Sequence, residues 1–122
     1  LTVLRDRRAE IRGVILDLRD NTGGDMGPMV AAVSPLLPDG TVLQFDLAGS
    51  RQDVTLSGGV VAGGGSRTEA EALKKLAVPV AVLQNGMTAS SGEAVLLCFK
   101  GMDQVRFFGS DTAGYCSVTF TL

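Results

Sequence analysis

The 122-residue sequence contains no histidine and no tryptophan, and it has only two cysteines. Within these residues, the lack of histidine excludes a histidine general base, and two cysteines alone do not make a zinc site. The formal net charge of −2 argues against electrostatic binding of nucleic acid, which requires a basic surface. We therefore expect no metal, no cofactor and no nucleic-acid partner.

Aromatic residues are also scarce, at 5% of the chain, so the core must be built mainly from valine, leucine and alanine. A chain of this length buries roughly two-thirds of its unfolded surface, which is enough for one hydrophobic core. We therefore expect residues 1–122 to form a single domain. If natural neighbours of this domain are missing, the apolar surface they leave would favour homo-oligomers or domain exchange.

The two cysteines do not define a cellular compartment. Cys98 lies in an apolar helical pattern and is expected to be a small core residue, whereas Cys116 lies on a predicted strand. The sequence leaves open whether they form a disulfide.

Apolar periodicity predicts strands and helices along the whole chain. The predicted strands are residues 13–18, 41–47, 53–56, 78–84 and 105–108, and the predicted helices are residues 26–37, 68–76 and 90–99, with a further helical pattern over residues 1–11. The glycine-rich segment 58–65 matches no nucleotide-binding motif, and we expect it to be flexible. The predicted fold is α/β, with a mainly parallel sheet flanked by helices and a small β-hairpin excursion over residues 41–56.

The segment from Asn85 to Glu93 joins an apolar strand to an apolar helix and places Ser90 at the start of that helix. Unpaired N–H groups and the helix dipole would stabilise negative charge developing beside this serine. The stretch from Ser90 to Glu93 also fits the Ser-x-x-Glu capping box, in which both side chains bond backbone N–H groups. The segment alone therefore leaves two interpretations open, a nucleophile and a helix cap.

A second polar turn follows the first predicted strand and ends in Gly23 and Gly24. Paired glycines allow backbone amides to approach a ligand closely, although an ordinary strand-to-helix turn uses the same residues. This turn and Ser90 both follow predicted strands. Because the carboxyl ends of parallel strands meet at one edge of a sheet, we expect Ser90 and the two glycines to lie on the same rim.

Three segments together resemble the C-terminal processing, or tail-specific, serine protease family: residues 16–24 (LDLRDNTGG), 88–94 (TASSGEA) and 109–115 (GSDTAGY). The resemblance implies a ClpP/crotonase-like fold and a cell-envelope or extracellular location. It also implies hydrolysis of a peptide substrate near its C-terminus. On this basis Ser90 is the nucleophile, and the oxyanion hole is formed by the amides of Ser91 and Gly24, with Gly23 as the alternative to Gly24.

The sequence departs from the family at the last residue of the third motif, directly after Gly114. Many members have a catalytic lysine there, whereas this chain has Tyr115, which is normally neutral and a poor base near pH 7. Lys100 is ten residues beyond Ser90, and Lys74 and Lys75 suit a solvated helix face, so none of them replaces it.

Another branch of the family uses a histidine that precedes the double-glycine motif. This chain lacks histidine and begins at Leu1 within a helix-like pattern. We therefore expect the general base to lie on a preceding segment, and we expect the chain to be inactive alone.

Two other functions fit the same residues. A non-catalytic relative at the cell envelope would bind peptides without cleaving them, and a crotonase-like enzyme would use paired backbone amides on an acyl thioester. Asp17 and Arg19, which alternate with apolar residues near the end of the first strand, are expected to form a structural ion pair or a turn hydrogen bond and not to act in acid–base catalysis.

Overall fold

A computed structural model describes residues 5–47, 50–63 and 66–114 of the chain. Its helices are α1 (Met26–Ala32) and α2 (Ser91–Cys98). Its strands are β1 (Val14–Asp17), β2 (Gly40–Leu47), β3 (Ser50–Ser57), β4 (Val60–Gly63), β5 (Ser66–Glu69), β6 (Val80–Gln84) and β7 (Val105–Gly109). Short 3-10 turns occur at Arg8–Glu10 and Ser34–Leu36.

The strands form two sheets. The first is parallel, with the order β1-β6-β7, and its register aligns Leu16, Val82 and Phe107. The second is antiparallel, with the order β2-β3-β4-β5. The expected α/β class and the parallel sheet are confirmed, but the hairpin predicted at residues 41–56 is part of a larger, four-stranded antiparallel sheet.

Two glycines explain why the glycine-rich segment extends this sheet instead of forming a flexible loop. Gly59 lies in the turn between β3 and β4, where an added Cβ would lie 2.6 Å from the carbonyl oxygen of Ala70. Gly63 ends β4 with a φ of +115°, and an added Cβ there would collide with the carbonyl oxygen of Asp53. The glycines therefore allow close backbone packing, and the prediction of flexibility is wrong for residues 58–63.

The predicted helix at residues 68–76 is also wrong, because β5 ends at Glu69 and residues 70–79 form no regular element. Distant partners occupy the backbone groups that a helix would use. The guanidinium of Arg8 donates hydrogen bonds to the carbonyls of Lys74 and Lys75, and the Leu76 N–H donates to the carbonyl of Pro35 at 2.8 Å. Tertiary contacts here override a weak helical propensity.

The predicted helix at residues 26–37 is shortened at its C-terminal end. Asp25 caps its start by accepting a hydrogen bond from the Gly27 N–H, and α1 then ends at Ala32. A separate 3-10 turn follows, with Pro35 in its first turn, where the missing N–H and fixed φ are tolerated. Near the chain start, residues 8–10 form a 3-10 turn, and Leu1 and Leu4 lie outside the described residues.

Buried side chains from both helices and both sheets form one hydrophobic cluster. Helix α1 packs against α2, β4 and β5, and α2 also contacts β2. The parallel sheet turns Val80, Val82 and Val105 toward this cluster, whereas Ile15 and Phe108 on its other face are 72% and 55% exposed. Within the described ranges, neither helix has the length and apolar character needed to cross a bilayer. The assignment of residues 1–122 to one domain stays a prediction.

Candidate active site

Ser90 lies at the carboxyl end of the parallel sheet, immediately before the first residue of α2. Its backbone has φ 55° and ψ −121°, a conformation that non-glycine residues rarely adopt. Such a conformation costs about 1–3 kcal/mol and persists only where the surrounding structure enforces it. Residues of this kind cluster at functional sites, and the sharp strand-to-helix turn leaves Ser90 half-buried.

The double-glycine turn lies directly against Ser90, as expected from the strand order. An added Cβ on Gly23 would lie 2.9 Å from the Ser90 Cβ and 3.2 Å from the Ser91 nitrogen. Any side chain larger than hydrogen at Gly23 would therefore push the two motifs apart. Gly24 is exposed, with a φ of +146° and open space around its Cα.

The amides of the two glycines have different surroundings. The Gly23 N–H donates to the side-chain oxygen of Asn21 at 3.0 Å. The Gly24 N–H has no hydrogen-bond partner among the described residues. Of the two, only the Gly24 amide is available to a ligand.

Ser91 ties the glycine turn to α2. Its hydroxyl donates to the carbonyl oxygen of Gly24 at 2.6 Å, and the residue is only 8% exposed. Because Ser91 is the first residue of the helix, its own N–H has no intrahelical acceptor. This N–H and the Gly24 amide therefore belong to the same small region beside Ser90.

Buried hydrogen bonds join the loops after β1 and β6. The hydroxyl of Thr88, which is fully buried, donates to the carbonyl of Leu18 at 2.6 Å. The N–H of Ala89 donates to the carbonyl of Asn21 at 2.9 Å. Gly92 completes the contact, since an added Cβ there would lie 2.8 Å from the same Asn21 oxygen. Helix α2 thus starts in direct backbone contact with the glycine turn.

A reciprocal side-chain clamp joins the same two loops nearer to solvent. The Asn85 side chain accepts from the Asp20 N–H at 3.1 Å and donates to the Asp20 carboxylate at 3.0 Å. Asp20 is the other described non-glycine residue with positive φ, at 63°. Both loops of the site therefore hold one strained residue each.

Glu93 connects the start of α2 to the third sequence motif. The residue is 6% exposed, and its Oε1 accepts from the Ser90 N–H at 3.1 Å. Its Oε2 accepts from the Thr112 hydroxyl at 2.8 Å and from the Gly114 N–H at 3.1 Å. Sequence reasoning predicted the bond to Ser90 as part of a helix cap. It missed the two others, which join residues about twenty positions apart and leave no trace in local spacing.

The third motif reaches the site through a close backbone crossing. At Gly109, where β7 ends with a φ of +118°, an added Cβ would collide with the carbonyl oxygen of Gln84 on β6. Further along, the Ala113 N–H donates to the Thr88 carbonyl at 2.9 Å. Tyr115 and Cys116 lie outside the described residues.

Three charged residues considered from the sequence, Asp17, Arg19 and Lys75, have structural partners. The Arg19 guanidinium binds both carboxylate oxygens of Asp17, at 2.9 and 2.8 Å, and lowers the pKa of Asp17 to about 2. Lys75 pairs with Asp39 at 2.8 Å, and Lys100 is an exposed residue just beyond α2. The expected Asp17–Arg19 ion pair is therefore present, and Cys98 is buried in α2 as expected.

The model of peptidase family S41 matches residues 2–122. The chain belongs to peptidase family S41. The resemblance to the C-terminal processing proteases, inferred from the three motifs, is thereby confirmed.

This S41 chain is 48% identical over 112 residues to the nisin-resistance protein of Lactococcus lactis subsp. lactis, a match that covers 90% of the chain and 35% of that protein. It is also similar to the structure of a lipoprotein from Streptococcus agalactiae, with 34% identity and a TM-score of 0.72 over 85% of the chain and 36% of that structure. The S41 chain thus spans about a third of each relative.

Two more distant structures show similarity of fold alone. The photosystem II D1 C-terminal processing protease is 23% identical, with a TM-score of 0.62 over 89% of this chain and 25% of its own. A putative peptidase from Parabacteroides merdae is 22% identical, with a TM-score of 0.60 over 88% of this chain and 33% of its own. The mixed α/β arrangement of the S41 chain is therefore shared with other peptidases.

Proposed function

We propose that this chain carries the nucleophile and the oxyanion-binding groups of a serine peptidase that cleaves peptides near their C-terminus. The observation that supports this most directly is the packing of the strained Ser90 against the glycine turn. The contact is so close that a Cβ added to Gly23 would lie 2.9 Å from the Ser90 Cβ. Family membership supports the same reaction class. We further propose that the complete fold is ClpP/crotonase-like.

The proposed reaction is acyl transfer through the Ser90 hydroxyl. Its oxygen attacks the scissile carbonyl carbon while a general base removes the hydroxyl proton, and the carbonyl oxygen becomes an oxyanion. The amine leaves with a proton returned from the base. Water then hydrolyses the acyl-enzyme by the same steps in reverse, and Ser90 is restored.

The hydrogen-bond partners of the neighbouring amides support Gly24 and Ser91 as the oxyanion donors. The Gly23 N–H is occupied by Asn21, and the Ser90 N–H is occupied by Glu93. The Gly24 amide and the helix-terminal amide of Ser91 lie beside Ser90 and are oriented by the Ser91–Gly24 hydrogen bond. Removing one such donor typically reduces kcat by about 10²–10³.

The proposed general base comes from outside these 122 residues, because they contain no histidine and no lysine is placed beside Ser90 by the described contacts. We propose a histidine on a preceding segment. Without it, the Ser90 hydroxyl should be a weak nucleophile, since general-base assistance contributes about 10²–10⁴ in rate. The isolated 122-residue chain should therefore not cleave peptides.

The similarity to the nisin-resistance protein supports a peptide of the lantibiotic class as substrate, and similarity to a lipoprotein supports a location at the cell envelope or the outer face of the membrane.

A fluorophosphonate probe tests the proposed nucleophile. We call the natural translation product that contains these residues the parent polypeptide. The probe should label the parent polypeptide at Ser90 and should not label its Ser90→Ala variant. The 122-residue chain should react slowly, and added imidazole should accelerate its labelling. Labelling elsewhere, or equal labelling of Ser90→Ala, would contradict the proposal.

The capping box formed by Ser90 and Glu93, a structural role that needs no catalysis, favours a second function, a cell-envelope relative that binds peptides without cleaving them. Such a parent polypeptide would bind peptide C-termini, resist the fluorophosphonate probe and release no product over long incubation. Turnover that disappears in Ser90→Ala would exclude this alternative.

A further inference from the structure

We infer that Glu93 is a positioning residue for Ser90, fixing the strained backbone of the nucleophile and fastening residues 112–114 to it; this inference rests on the proposed peptidase function. Ser90 and Glu93 form a capping box, in which the Glu93 backbone N–H donates to the Ser90 side-chain oxygen and the Glu93 Oε1 accepts a hydrogen bond from the Ser90 N–H at 3.1 Å. The Glu93 side chain therefore acts on the nucleophile through the Ser90 backbone.

The Ser90 backbone conformation requires an external restraint. A residue at φ 55° and ψ −121° relaxes unless neighbouring contacts hold it. The Glu93 hydrogen bond fixes the peptide plane that enters Ser90, and the helix that begins at Ser91 fixes the plane that leaves it. Together they set the direction of the Ser90 hydroxyl and of the Ser91 N–H.

The hydrogen bonds of Glu93 require a carboxylate at this position. A buried carboxylate is stable only when its oxygens are hydrogen-bonded, and Glu93 accepts from the Ser90 N–H, the Thr112 hydroxyl and the Gly114 N–H. Two of these three groups are backbone donors that cannot reverse their polarity. An amide at this position would turn an NH₂ group toward one of them, so glutamine cannot satisfy both ends.

The contacts also make the conformation of Ser90 dependent on residues 112–114. Gly114 and Thr112 bind Oε2 of the same carboxylate whose Oε1 holds Ser90. The Ala113 N–H binds the Thr88 carbonyl independently of Glu93. Substitution of Glu93 should therefore disturb Ser90 while leaving one anchor of this segment in place.

The test compares Glu93→Gln, Thr112→Val and the surface control Glu69→Gln in the parent polypeptide, at a temperature where all are folded. Glu69 is paired with Arg67 on the exposed face of β5. We expect Glu93→Gln to lower the rate of fluorophosphonate labelling and kcat by about 10- to 100-fold with little change in KM, because small displacements of a nucleophile have effects of this size. Thr112→Val should give a loss of a few-fold, and Glu69→Gln none. Full labelling and kcat in Glu93→Gln would overturn the inference.

A second measurement separates this inference from the proposed function. The amide NMR signal and hydrogen exchange of Ser90 should change in Glu93→Gln and not in Glu69→Gln, whether or not the protein is active. If the wild type neither reacts with the probe nor cleaves peptides, the proposed function fails, and the Ser90 amide alone decides the role of Glu93. An unchanged Ser90 amide in Glu93→Gln would reject that role.

Discussion

The two ends of the parallel sheet differ in the kinds of residue that form them. At the carboxyl end, the side chains of Glu93 and Asn85 hold the strained residues Ser90 and Asp20 by hydrogen bonds, and glycines bring backbones into direct contact. At the amino end, apolar residues, among them Leu37, Val80 and Met102, line a cavity of about 370 Å³. Hydrogen bonds therefore fix the positions of polar groups at one end, whereas the other end presents a cavity lined mainly by apolar side chains. Open α/β sheets generally place their ligands at the carboxyl end.

The largest expected effect comes from Gly109, the last residue of β7. Gly109→Ala should destabilise the protein by about 3–5 kcal/mol, because the new Cβ meets the Gln84 carbonyl in addition to the strain of a positive φ. Gly101, before β7 at the other end, has a φ of +83° and open space around it, so Gly101→Ala should cost only about 1–2 kcal/mol. Urea unfolding measures both. Equal losses would mean that the backbone crossing at Gly109 is not tight.

Leu37→Ala tests the apolar end. Leu37 is 1% exposed, and its truncation should destabilise the protein by about 2–5 kcal/mol. Because Leu37 lines the cavity at the amino end of the sheet and Ser90 lies at the carboxyl end, labelling of the folded protein should remain within about twofold of wild type. A parallel loss of stability and labelling would show that the two ends are coupled.

Ser90→Gly and Ser90→Ala test the strain at the carboxyl end. Both variants should abolish labelling. Glycine adopts a positive φ without a Cβ clash, whereas alanine retains the Cβ and therefore the clash. We expect Ser90→Gly to be more stable than Ser90→Ala by about 1 kcal/mol, the reverse of the usual order. Thermal unfolding decides between them. A less stable glycine variant would argue that Ser90 is not strained.

The smallest expected effect concerns Asp17. Its pKa is lowered to about 2 by Arg19, below the unfolded value near 3.9, so the pair stabilises the fold fully above pH 3.9 and loses that effect as the pH falls through 2. Both side chains are about half exposed and screened by salt. Asp17→Asn should therefore leave the urea midpoint at pH 7 almost unchanged. An NMR titration of Asp17 with an ordinary pKa would contradict the pairing.

The sequence predicted most of the regular elements because they depend on local patterns. The strands at residues 14–17, 80–84 and 105–109, the helix after Ser90 and the paired strands β2 and β3 follow from apolar periodicity and turn residues. The helix predicted at residues 68–76 failed because Arg8 and Pro35, which are distant in sequence, bind its backbone groups. The antiparallel sheet was underestimated for a similar reason. Its glycines read as flexible, although they permit close packing.

By itself, the sequence determined the family, the α/β class and the candidate site residues. The site residues could be named because they lie in short motifs that follow one another along the chain in the order typical of the family. Only the tertiary structure decided how these motifs meet. The hydrogen bonds from Thr88 to Leu18 and from Ser91 to Gly24 span 70 and 67 residues, and the Glu93 contacts reach Thr112 and Gly114. Local periodicity does not encode such pairings, because they depend on which strand ends the folded sheet brings together.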